Sequence, residues 1–81
     1  MAETGVISAD ERERMADDIR TKVTDYGLTY VWVIRQIAKR GVHTNRSEMS
    51  AVLAGSRTGY KADNILMNSL AVLNKYGAKM S

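Results

Sequence analysis

Four apolar stretches of helical period divide this chain, each entered through a polar capping residue or loop and each ending at a glycine. That punctuation constrains the fold more than any other feature, because a segment that begins on Ser, Thr or Asn and stops on glycine specifies a helix and its length together. Ser8 opens S-A-D-E, a capping box in which its hydroxyl meets the amide three residues on and Glu11 reaches back. Met15, Ile19, Val23 and Tyr26 then recur at intervals of four and three until Gly27. Asp10, Glu11 and Glu13 fall in the first turn, where the helix dipole favours acids.

The second helix starts after Thr29 and runs through YVWVIRQIAKR to Gly41. Its β-branched residues also suit a strand. The pattern Val33, Ile34, Ile37, Ala38, at i, i+1, i+4 and i+5, and the basic turn Lys39–Arg40 before the glycine favour the helix. Asn45 caps the third, Glu48 completes a second capping box, and Met49, Val52 and Leu53 form its buried side before Gly55. The fourth follows the loop SRTGYK, with Ala62, Ile65, Leu66, Ser69, Leu70 and Leu73 on one face and Gly77 as its expected end. The expected fold is all-α, a compact bundle of four to five short helices, with residues 1–7 as a flexible leader and 8–81 as one domain.

A chain of 81 residues buries only a small core and has little room for a cofactor cleft. It has no cysteine, which removes disulfides, thiolate metal sites and cysteine nucleophiles. His43 is the only histidine and has no carboxylate cluster beside it, so neither a transition-metal site nor a catalytic triad is expected, and no enzyme, cofactor or small-molecule substrate. Asn45-Arg46-Ser47 fits the glycosylation pattern by chance, and GSRTGYK lacks the spacing and preceding strand of a phosphate loop. No run approaches the roughly 18 apolar residues of a membrane span, and MAETGVISADERER is acidic where a signal peptide is basic and then apolar. The expectation is a cytoplasmic protein with no membrane partner.

Charge is unevenly placed. Up to Asp25 seven acids face four bases, net −3; from Tyr26 onward eight bases face only Glu48 and Asp63, net +6. A basic body with an acidic first segment suits a polyanion partner. The third helix sharpens this. Burying Met49, Val52 and Leu53 leaves Arg46, Ser47, Ser50 and Ala51 on the other face, and such short side chains let a backbone come close to a DNA groove or another protein.

In IAKRGV (Ile37 to Val42), NRSEMSAVLAGSR (Asn45 to Arg57) and KADNILMNSLAVL, the chain resembles the lambda-repressor-like (Cro/repressor-type) helix-turn-helix family over Leu28 to about Leu73. It is also similar to small prophage and mobile-element regulators with the pattern G-x-x-T-x-R-x-x-x-S-x-x-L-x-G-x-R-x-G-x-K-A-D, here Gly41 to Asp63. The turn GVHTN and the loop GSRTGYKAD are longer than the family's common forms.

The resemblance implies a sequence-specific transcriptional regulator, repressor-like, with residues 45–54 as the recognition helix in the major groove of double-stranded DNA and a homodimer reading two half-sites. On that implication Thr44, Asn45, Arg46, Ser47 and Ser50 face bases: Arg46 suits guanine O6 and N7, Asn45 suits adenine if it is not spent on capping. Thr29, Tyr30, Ser56, Arg57, Thr58, Tyr60 and Lys61 contact phosphates. Two other readings fit the same residues: a module that grips a protein partner through the helix-turn-helix surface or the acidic helix, and a weakly specific architectural DNA binder.

Overall fold

The computed structural model describes residues 7–80, so the expected leader lies outside the described residues except for Ile7, which is half-buried. Ser8 Oγ accepts from the Glu11 amide at 3.1 Å, and α1 (Ala9–Asp25) follows. Thr29 Oγ1 accepts from the Trp32 amide at 3.1 Å and opens α2 (Tyr30–Ala38). The YVWVI run is helical for a packing reason. Val33 and Ile37 are buried and Ile34 and Ala38 half-buried, whereas a strand would send the two pairs to opposite faces. Asn45 Oδ1 accepts from the Glu48 amide at 2.8 Å at the head of α3 (Arg46–Ala54), which stops at Gly55 with φ 84°, a left-handed value that favours glycine. The last element is α4 (Tyr60–Met80). The described residues contain no strand, and none of their helices is long and apolar enough to cross a membrane.

Helix directions follow from side-chain pairs. Arg12 meets Asp63 near the starts of α1 and α4, and the Tyr26 and Tyr76 rings lie 5.5 Å apart near their ends, so these two helices run parallel. Arg40 Nε donates to Asn68 Oδ1 at 2.7 Å while Trp32 packs on Tyr76, so α2 runs antiparallel to α4. The short α3 touches all three other helices. Between them lies a single core: Ile19 and Val23 of α1, Val33 and Ile37 of α2, Met49, Val52 and Leu53 of α3, and Ile65, Leu66 and Leu73 of α4. Ala16, off the stripe legible in α1, is buried as well, and the hydroxyl of the buried Ser69 has no partner among the described residues.

One expected boundary is wrong. Gly77 does not close α4, which continues to Met80. The glycine is there because a Cβ would collide with the Tyr26 hydroxyl, whose ring rests against Tyr76. Alanine at 77 gains about 1 kcal/mol of helix propensity, but it must displace Tyr26 from that aromatic contact. Gly77→Ala is expected to lose about 1–2 kcal/mol net, as overpacking usually does. Repeating the substitution in a Tyr26→Phe background, which removes the colliding hydroxyl, should shrink the loss; an equal loss in chemical denaturation of both backgrounds would reject this cause.

Candidate nucleic-acid interface

The cap of α3 fixes what its neighbours can do. With Asn45 Oδ1 held by the Glu48 amide, the Glu48 side chain lies under the first turn and is buried. It does not complete the capping box by reaching back. Its carboxylate accepts instead from Thr44 Oγ1 at 2.6 Å, pairs with Lys61 Nζ at 3.2 Å and takes Arg57 Nη1 at 3.3 Å. The Thr44 hydrogen bond above all, then Lys61 and Arg57, hold its carboxyl below the ordinary value, against the opposing effect of burial.

A depressed carboxyl stabilises the fold above its unfolded pKa, and that contribution disappears as pH falls through the lower folded value. Acidification below the ordinary 4.5 is therefore expected to loosen the Thr44–Glu48–Arg57–Lys61 cluster. Glu48→Gln should flatten the pH dependence of melting temperature in that acid limb; an unchanged limb would mean that other carboxylates govern it.

This cluster divides the twelve residues the sequence nominated. Thr44 is spent on Glu48, and the acceptor oxygen of Asn45 is spent on capping. Ser56 Oγ donates to the Ala51 carbonyl at 3.2 Å, and Thr29 Oγ1 serves the α2 cap. Arg57 and Lys61 keep more than half of their side-chain surface exposed, 57% and 63%, while their inner edges touch Glu48. A phosphate would therefore share these two cations with an internal carboxylate that already orients them. Tyr60 is exposed at the start of α4, and Thr58 lines a groove with Ala9, Arg12 and Glu13 of α1 rather than the cleft that Arg46 and Ser50 line.

Arg46, Ser47 and Ser50 are exposed and have no hydrogen-bond or ionic partner among the described residues. Arg46 and Ser50 line a cleft of about 270 Å³ with Tyr30 of α2 and Arg20 of α1. Ala51, expected on the outer face, is half-buried.

Sequence reasoning missed Arg20, which sits in the acidic segment. Its Nη2 donates to the Leu53 carbonyl at 2.7 Å, satisfying the last turn of α3, and its Nη1 meets Asp17 at 3.1 Å. The partner lies 33 positions away, so no local pattern could announce it. Comparison of the chain with protein-family models, with curated proteins and with solved structures finds no match.

Proposed function

We propose that α3 is a recognition helix and that the protein is a sequence-specific, repressor-like regulator that binds double-stranded DNA in the major groove. One observation carries this reading: the outer face of α3 leaves Arg46, Ser47 and Ser50 exposed and unpartnered, on a helix whose short side chains permit close approach. Arg20 and Tyr30 border that face, and Arg57 and Lys61 stand beside its N-terminal end, so cations surround it. Helix N-termini add amide donors and a positive dipole to such a surface.

The reading includes a homodimer. A nine-residue helix is about 13 Å long and spans only about four base pairs. Two half-sites about one DNA turn apart supply the contacts that one such helix lacks.

The test is a selection from a pool of random duplexes, with binding followed across salt. Enrichment of one sequence and a steep loss of affinity with salt are expected. Salt-dependent binding without enrichment would replace this reading with an architectural binder, and no binding would replace it with a protein-partner module.

Two substitutions separate base from phosphate contacts on the selected site. Arg46→Ala should cost about 1–3 kcal/mol there and relax preference at one position, with less effect on random DNA. Lys61→Ala should weaken all sequences alike and lower the slope of log affinity against log salt by about 1. Equal losses on both kinds of DNA for Arg46→Ala would make it a phosphate contact.

A further inference from the structure

The antiparallel pair α2 and α4 encloses a groove of about 250 Å³ that shares no residue with the α3 face. Its floor is largely apolar, built from Val72 and from Trp32 and Tyr76, whose rings meet edge to face with centroids 5.3 Å apart, with the half-buried Gln36 beside them. Its rim is cationic on both sides, Lys39 and Arg40 from α2 and Lys75 and Lys79 from α4.

Elsewhere the chain neutralises many of its cations. Arg12 pairs with Asp63, Lys22 with Asp18, and Arg57 and Lys61 with Glu48. Around this groove it does not: Lys39, Lys75 and Lys79 pair with no carboxylate among the described residues, and Arg40 donates only to the neutral amide oxygen of Asn68. Helix C-termini favour nearby cations, which accounts for lysines at the ends of α2 and α4. It does not account for their gathering along one groove without a carboxylate among its lining residues. Like charges gathered at a groove raise its potential and attract an anion.

We propose that this groove docks an acidic polypeptide segment, with one aliphatic or aromatic side chain seated on Trp32 and Tyr76 and carboxylates on both sides reaching the lysine rims. Cations stand at both ends of the groove, Lys39 and Arg40 near Asn68 and Lys79 beyond Tyr76, with the apolar stretch between them, and this calls for charge on either side of an apolar group. A polypeptide supplies that alternation with successive side chains, whereas a nucleic-acid strand carries its charges in single file. The edge-to-face pair also offers no flat platform on which successive bases would stack. From Val72 to Lys79 the groove is about 10 Å long, room for about three extended residues.

On α2, Trp32 points about 200° around the helix from Tyr30. The groove therefore opens away from the proposed DNA face, and the docking does not depend on that function.

Trp32 is the only tryptophan, so its fluorescence reports occupancy of the groove in the unmodified full chain. The probe is a short peptide of glutamate and aspartate around one central phenylalanine, compared with the same peptide carrying alanine at the centre and with oligothymidylate. Expected is a saturable, salt-sensitive change in Trp32 emission that is strongest for the phenylalanine peptide. The double variant Lys75→Glu/Lys79→Glu, altered only at exposed positions, should weaken it by about tenfold or more. Should that variant lose its helical circular dichroism, Lys39→Ala/Lys79→Ala takes its place with the same expectation. No response of Trp32 to the acidic peptide, undiminished binding by a folded variant, or stronger binding of oligothymidylate would each overturn the proposal.

Discussion

Replacing Ser50 by glutamate is expected to cut affinity for the selected duplex by an order of magnitude or more at moderate salt, while leaving stability within about 0.5 kcal/mol. Ser50 is exposed one turn beyond Arg46, and the charged side chains that line their cleft are both basic, Arg20 and Arg46. A carboxylate there stays solvated in the free protein, and glutamate has better helix propensity than serine. It also stands four residues after Arg46 and near Arg20, so it attracts the cations that DNA would otherwise use.

Against a duplex the same carboxylate faces phosphates and the acceptor edges of guanine. Two penalties therefore add, repulsion from DNA and capture of Arg46. Measuring the affinity of a folded Ser50→Glu variant for its best duplex decides the matter. Wild-type affinity would remove α3 from the groove and leave the protein-partner reading.

The largest effect on stability is expected from Arg12→Ala. Arg12 Nε meets Asp63 Oδ1 at 2.9 Å, and the two side chains differ in exposure, 19% for Arg12 and 8% for Asp63. Removing the arginine strands a carboxylate that water barely reaches, which costs about 3 kcal/mol. Removing the carboxylate strands a guanidinium that can turn toward solvent, so Asp63→Ala should cost less, about 1–2 kcal/mol.

For a domain of this size, total stability is of order 4–12 kcal/mol, and the Arg12 loss is a large share of it. Replacing both partners by Met and Leu should recover most of it, because an apolar pair leaves no buried charge. Chemical denaturation of the four proteins provides the test. An Asp63→Ala variant less stable than Arg12→Ala would show that this carboxylate does something beyond pairing, such as favouring the start of α4.

Sequence and tertiary structure divided the information along a physical line. Helix starts are local events, hydrogen bonds between a side chain and an amide three residues on. The Ser8, Thr29 and Asn45 caps could therefore be read directly, as could the left-handed glycine after α3. The apolar faces were legible for the same reason, since a period of 3.6 brings Ile19 and Val23, or Ile65, Leu66 and Leu73, to one side whatever lies opposite. Gly77 looked like another stop because the local pattern of a glycine after an apolar helix is the same whether the chain must turn there or a tyrosine must pass; only Tyr26, 51 positions away in the chain, distinguishes the two.

The candidate site was legible in its residue types but not in their commitments. Nothing near Thr44, Arg57 or Lys61 in the chain says that all three meet on the carboxylate of Glu48, and nothing near Arg20 says that it closes α3. By itself the sequence determined where helices form and which faces are apolar, because those depend on neighbours within about one turn. Tertiary structure decided which polar groups are consumed inside the protein and which, like Arg46, Lys75 and Lys79, have no internal partner among the described residues, because hydrogen bonds and ion pairs act only between groups that packing brings within a few ångströms.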